Sequence, residues 1–395
     1  MRVYFAPCGI GLGHVGRAVP IGKKLLENKA KIMFSTYMDG VRYVERENLP
    51  LFKSPPISVK VKPDGTIDFR QTAVNPGPFL SIYMILKQIT AELHAIESFN
   101  PDVVVSDSRA STLLAARLLR KPRICILNQF QVIIPRKTHY LRLAKLADYG
   151  TLTLVGRIWT SGNAVLIPDF PPPYTIGLDN LNIPDFYKKK IRLIGPILPT
   201  HPDELPSEEK LRDKLALPTD KPVIFAPISG PIMERAFLTG ALRKILLKFP
   251  KDYEVIISLG YPNADAKPIR HGNVTIYKWM PNRFEYLKAC DLTISRSGHG
   301  TLTQSMCYGK PMILIPTPSH TEQLNNAYQA AHLGVAKVIR QENLNKENLL
   351  RSVQQTLQDG STERLKEVQM EVLKHNGLQT AVEIITHLAE NKQTF

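Results

Sequence analysis

From Trp279 to Ala327 the chain reads WMPNRFEYLKACDLTISRSGHGTLTQSMCYGKPMILIPTPSHTEQLNNA. An aromatic–proline turn leads into a short helical pattern and then a β-branched strand, Leu292–Ile294. That strand runs straight into a Gly/Ser-rich turn opening a second helix. The next strand, Met312–Ile315, ends in a polar loop carrying Glu322 and Gln323. Strand–turn–helix units of this kind build parallel sheets whose ligand loops lie at the carboxyl ends of the strands. The chemistry along the stretch suits a nucleotide-sugar. Trp279 can stack on a base, a glycine-rich helix start can hold a diphosphate on its free N–H groups, and the polar loop can bond sugar hydroxyls.

The same alternation extends outward in both directions. The first half is expected to hold strands at Arg2–Ala6, Lys31–Ser35, Asp102–Ser106, Arg123–Leu127, Leu152–Leu154 and Val165–Ile167. The second half is expected to hold them at Val223–Pro227, Glu254–Ser258, Val274–Ile276, Leu292–Ile294, Met312–Ile315 and Ala336–Val338. Most are continuous apolar runs, as strands covered on both faces require. A Pro-rich polar stretch separates the halves. The division read from this is a first domain over 1–195, a linker over 196–206 and a second domain over 207–375. Residues 376–395 form a last helix able to pack back on the first domain.

A length of 395 residues fits two or three domains, and 43% hydrophobic with 22% charged residues is an ordinary globular composition. No apolar run reaches the roughly 18 residues of a membrane-spanning helix, and the start lacks the basic-then-apolar pattern of a secretory signal. Cys8, Cys125, Cys290 and Cys307 stand singly with no metal-ligand spacing, so buried thiols in a reducing cytoplasm are expected. The charge is uneven. Residues 1–200 carry 27 Lys/Arg against 14 Asp/Glu, a net +13 of the total +16. Anionic substrate, anionic membrane surface or a generally basic surface each account for that excess. Nucleic acid is not expected, because the basic residues are dispersed and no aromatic-interleaved basic motif appears.

Gly11-Leu12-Gly13-His14-Val15-Gly16 follows the first strand and opens a helix. Its spacing fits the dinucleotide fingerprint, but Ser35 and Thr36 stand where that site wants an acid at the end of the second strand. His14 gives the loop another use. An imidazole at a strand-to-helix turn sits where open α/β folds bind ligands, and its ordinary pKa of about 6.5 suits a general base. Asp107, at the tip of VVVSD, would share that sheet edge and could orient the imidazole; capping the next helix is its other reading. Asn128 and Gln129 follow the next strand and are expected to line the same cleft.

Together these residues resemble glycosyltransferases of the GT-B fold, an α/β architecture of two Rossmann-like, doubly wound domains facing a cleft. The nearest groups are the plant and bacterial UDP-glycosyltransferases and the bacterial peptidoglycan N-acetylglucosaminyltransferase. The likeness covers nearly the whole layout and is specific at Gly11–Gly16, at Asp107 and over Trp279–Ala327. It implies that Trp279-Met280-Pro281-Asn282 holds uracil, the indole stacking and neighbouring groups pairing with the base edge. It implies a diphosphate site at Arg296-Ser297-Gly298-His299-Gly300-Thr301, with Ser229-Gly230 as a second phosphate-side loop and Gly13 beside the donor. Glu322 and Gln323 are implied to hold the transferred sugar.

Two positions depart from the family pattern. Gln304 stands where a Glu usually grips the ribose hydroxyls; a carboxylate accepts twice, whereas an amide accepts at one end and donates at the other. Arg17 follows Gly16 where many relatives have Pro nearby, and is expected to reach an acceptor or a phosphate.

The expected activity is transfer of a hexose or N-acetylhexosamine from a UDP-sugar to an acceptor hydroxyl. His14 would be the base, Asp107 its orienter, and Arg17, Asn128 and Gln129 the acceptor side. Inversion at the anomeric carbon is implied by the resemblance, and no metal or other cofactor is expected. A UDP-sugar epimerase or hydrolase, and a non-catalytic nucleotide-sugar-binding subunit, remain the alternatives. The acceptor is open. The apolar run Phe79–Leu86 beside a basic first half fits a membrane-surface patch taking a lipid or lipid-linked acceptor at the inner face of the cell membrane; the buried face of a core helix fits it equally.

Overall fold

The computed structural model describes residues 1–57, 78–130, 156–181, 183–358 and 362–391. Among them are two seven-stranded sheets. The first contains β1 (Arg2–Pro7), β2 (Lys31–Thr36), β3 (Leu51–Lys53), β4 (Val103–Asp107), β5 (Arg123–Ile126), β6 (Ala164–Ile167) and β7 (Ile191–Leu193). All are parallel, in the order β3-β2-β1-β4-β5-β6-β7. The crossovers include α1 (Gly13–Glu27), α2 (Asp39–Arg46), α3 (Pro78–Phe99) and α4 (Ala110–Leu118).

The second sheet contains β8 (Val223–Pro227), β9 (Glu254–Ser258), β10 (Ile269–His271), β11 (Val274–Tyr277), β12 (Leu292–Ser295), β13 (Met312–Leu314) and β14 (Ala336–Val338). Its order is β10-β11-β9-β8-β12-β13-β14, with only β10 antiparallel to its neighbour. The elements that place the site are α5 (Glu208–Lys214), α6 (Ile232–Leu246), α7 (Arg283–Ala289), α8 (His299–Cys307) and α9 (Thr321–His332). After them come α10 (Lys346–Gln358), α11 (Thr362–Val372) and α12 (Gly377–Glu390).

Each sheet has core on both faces, which explains its apolar strands. Val3 and Phe5 of β1 join one cluster and Tyr4 and Ala6 another. In β8, Val223 and Phe225 face one side and Ile224 and Ala226 the other. Alternation along a strand sends neighbours to opposite faces, so a doubly covered strand is apolar throughout. The last helix belongs to the first domain's core: Ala381, Ile385 and Ala389, at four-residue spacing, pack with Val382 against the β1–α1 side.

The strand expected at Leu152–Leu154 lies outside the described residues. Three observed strands, β3, β7 and β10, were not expected. Each is a three-residue edge strand with mostly half-exposed or exposed side chains, so none carries a continuous apolar run. Of the two readings of Phe79–Leu86, the buried face does not hold for the residues that can be described. Ile82, Tyr83, Ile85 and Leu86 are all exposed, at 43–56%.

The strand order fixes the functional geography. In the first sheet the direction of winding reverses between β1 and β4, and in the second between β8 and β12. Open α/β sheets bind ligands at the carboxyl ends of strands flanking such a reversal. His14 follows β1 and Asp107 ends β4; Ser229 and Gly230 follow β8 and Arg296 follows β12.

Candidate active site

In the first domain, β1 and β4 pair with Pro7 opposite Asp107, which brings the start of α1 beside the end of β4. His14 Nδ1 lies 2.7 Å from Asp107 Oδ1. The imidazole keeps a quarter of its surface open while the carboxylate is enclosed. Arg17, one turn further along α1, turns onto the same carboxylate, as residues three apart on a helix do. Its Nε donates to Asp107 Oδ2 at 2.5 Å and its Nη2 to Oδ1 at 2.6 Å. Burial alone would raise the Asp107 carboxyl, but the charges of Arg17 and then His14 outweigh it and hold it below the usual carboxylate range. The expected reach of Arg17 to a phosphate or acceptor is not what the structure displays: its guanidinium is engaged with Asp107 and with Asn128 Oδ1 at 3.0 Å. Asn128 also spans the cleft, its Nδ2 donating to Glu322 Oε1. Gln129 follows it, half-buried.

The second domain presents two glycine turns to this edge, Ser229-Gly230 after β8 and Gly298-His299-Gly300 after β12, and the first domain faces them with Gly11. Gly11 (φ +72°) and Gly230 (φ +120°) both need backbone conformations that side chains disfavour. They also meet, since a Cβ on Gly11 would lie 3.1 Å from the Gly230 carbonyl carbon. Gly13 is exposed, with open space around it. Ser229 Oγ is 3.5 Å from Thr301 Oγ1, which places the β8 loop beside the first turn of α8. Gly298 caps α8 without any side-chain bond, and Gly300 is exposed with open space where a side chain would stand. The first N–H groups of that helix are therefore approachable by an anion. Gln304 and Thr301 line a small pocket with Arg283, whose guanidinium lies 4.6 Å over the Phe284 ring.

Several expected donor contacts are turned inward instead. Arg296 is 3% exposed; its Nη1 donates to Ile315 O, Nε and Nη2 are enclosed, and burial pulls its pKa down to about 10. A guanidinium so enclosed cannot touch a phosphate in the cleft. Ser297 donates to Gln323 O at 2.6 Å and ties α8 to α9. The Gln323 amide is used at both ends, accepting from Thr317 N and donating to Glu234 Oε1 at 2.6 Å. The Met280 side chain belongs to the second core, leaving only its backbone for a base. Asn282 Nδ2 donates to Glu285 Oε2 at the start of α7. His299 points away from the α8 turn and across the boundary, 3.0 Å from Asp169 Oδ2.

Trp279 is half-buried between the domains. Tyr43 meets it edge-on at 5.7 Å between centroids and the Arg46 guanidinium lies 5.0 Å from its ring.

Ser35, at the end of β2, is committed to a buried ion pair. It donates to Glu92, which Arg109 also binds at 2.7 Å. Neither Ser35 nor Thr36 offers the carboxylate that the dinucleotide fingerprint wants at the end of the second strand.

Comparison with known proteins agrees with this geometry. Residues 235–384 match the model of the glycosyltransferase family 28 C-terminal domain. An uncharacterized glycosyltransferase of Methanosarcina mazei is 28% identical over 347 residues, 86% of each chain. The UDP-N-acetylglucosamine--N-acetylmuramyl-(pentapeptide) pyrophosphoryl-undecaprenol N-acetylglucosamine transferase of Desulforamulus reducens is 25% identical over 381 residues, 93% of this chain and 92% of that one. The crystal structure of the kitacinnamycin glycotransferase superposes with a TM-score of 0.66 at 18% identity, over 98% of both chains. The chain is a glycosyltransferase of the GT-B fold.

For such a glycosyltransferase the arrangement divides the work between the domains. The first holds an imidazole against a buried carboxylate, and the second holds an approachable helix start and the Glu322 carboxylate, which accepts from Asn128. Three contributors escaped the sequence reading. Arg283 shares the pocket of Gln304, Glu234 joins Thr317 and Gln323 behind the β8 loop, and Asp169 receives His299. Asp169 had a legible signal, because it follows its apolar strand closely, much as Asp107 ends VVVSD.

Proposed function

We propose that the chain moves a hexose or N-acetylhexosamine from a UDP-sugar to an acceptor hydroxyl with inversion. The observation that carries this is the pairing of His14 with Asp107 at one sheet's reversal point, opposite the glycine turns at the other's. With Nδ1 hydrogen-bonded to Asp107, Nε2 is the nitrogen left to take the acceptor's proton as its oxygen attacks the anomeric carbon. The nucleoside diphosphate leaves toward the N–H groups of Gly300 and Thr301, whose helix start favours the charge that develops. Glu322 holds sugar hydroxyls, and Trp279 stacks on the base.

The reading places the protein in the cytoplasm, resting on the inner face of the membrane. None of the described helices is long and apolar enough to cross a membrane. The exposed Ile82, Tyr83, Ile85 and Leu86 beside a basic first half support surface attachment to anionic lipid. That location suits a lipid or lipid-linked acceptor.

The test offers UDP-, dTDP- and GDP-sugars with lipid-linked and soluble acceptors, reading product by mass spectrometry and its anomeric configuration by NMR. A β-linked product from an α-linked UDP-sugar is expected. Free or isomerised sugar in equal amount without acceptor would instead identify a hydrolase or epimerase.

A further inference from the structure

Arg17 Nη2 has two hydrogens and three polar neighbours: Asp107 Oδ1 at 2.6 Å, Asn128 Oδ1 at 3.0 Å and His14 Nδ1 at 3.0 Å. An arginine nitrogen is always a donor. If its second hydrogen went to His14 Nδ1, that nitrogen would be bare. The proton would then sit on Nε2, and the ring could not act as a base toward the cleft. The Asn128 oxygen accepts that hydrogen instead. Both hydrogens are then placed on oxygens, and Nδ1 is free to donate to Asp107 at 2.7 Å.

The orientation of the Asn128 amide is fixed by its partners rather than by choice. Its oxygen must face Arg17, which only donates, and its nitrogen must face the Glu322 carboxylate, which accepts. Glu322 comes from the second domain, so the amide is held the right way round only where the two domains meet.

We propose that Asn128, acting through Arg17 and held by Glu322, is a positioning residue that sets the tautomer of His14. Closing the donor-side loop onto Asn128 completes the arrangement that leaves Nε2 bare. This rests on the proposed role of His14 as base, but it is measurable without turnover.

The experiment uses the full chain with 15N-labelled histidine, the His14 resonances being assigned by their loss in His14→Gln. Long-range proton–nitrogen correlations above the imidazole's titration report which nitrogen carries the proton. Wild type is expected to show Nδ1–H. Asn128→Ala should move the majority of the signal to Nε2–H and lower kcat about tenfold or more, the loss of a hydrogen bond to the charged Arg17. Asn128→Asp still accepts from Arg17 but cannot donate to Glu322, so it should keep Nδ1–H. An Asn128→Ala spectrum identical to wild type in a folded protein overturns the proposal. Nδ1–H lost in Asn128→Asp as well also overturns it. A wild type with the expected tautomer and no transfer to any acceptor would instead sink the functional reading alone.

Discussion

His299 of the second domain and Asp169 of the first approach to 3.0 Å with both side chains enclosed, at 3% and 0% exposure. Nε2 lies against the carboxylate without the alignment of a well-directed hydrogen bond. Asp169 also accepts from the backbone N–H groups of Phe170, Ile176 and Gly177. The histidine of a glycine turn, placed by motif on a diphosphate, thus helps to join the domains.

That junction has a pH signature. Burial alone would raise the Asp169 carboxyl, but His299 and the N–H donors outweigh it and hold the folded value below the ordinary one. A depressed carboxyl stabilises the fold above the unfolded pKa of about 3.9, and the contribution is lost as pH falls through the lower folded value. Asp169→Asn should therefore cost about 1.5–3 kcal/mol at pH 7, with a deficit that shrinks below about pH 4. Urea midpoints at neutral and acid pH measure it. An equal deficit at both would show that the carboxylate charge is not the source.

Trp279→Ala tests whether the indole anchors the base or only the domain contact. Stacking is worth about 1–3 kcal/mol per base, so nucleotide affinity should fall by roughly 5- to 150-fold. Calorimetric titration with UDP reads this directly. Unchanged affinity with a lowered unfolding midpoint would assign the ring to Tyr43 and Arg46 alone.

Gln304→Glu restores a carboxylate where the family usually has one. A hydrogen bond to a charged group is worth about 1.5–3 kcal/mol, so discrimination between UDP and dTDP should sharpen by roughly tenfold or more. Competition binding of the two nucleotides checks it. No change would mean that the ribose lies away from Gln304 and Arg283.

Ile82→Ser with Leu86→Ser should abolish co-sedimentation with anionic vesicles while leaving nucleotide binding intact. Raising salt should weaken the wild type's attachment as the basic surface is screened. Salt-insensitive binding, or none, removes the membrane from the account.

Much of the fold was legible because its signal is redundant. A strand buried on both faces must be apolar throughout, and β8 and β9 fall where their apolar runs end. Short edge strands such as β3 carry no such constraint. The site was legible in its chemistry but less so in its directions. Sequence identifies Arg296 and Gln323 as polar residues on the right loops, yet only packing decides that both turn away from the cleft. Arg17 could have been read better: three residues after His14 on one helix, it had to share that histidine's face.

The central claim is that the His14 imidazole takes the acceptor's proton from a cleft the two domains share. The most direct measurement is acceptor-dependent UDP release by wild type and His14→Ala, under saturating donor. A general base contributes about 10²–10⁴-fold, so the variant should lose that much in kcat while binding UDP as before. Equal rates in the two proteins with every acceptor would contradict the account.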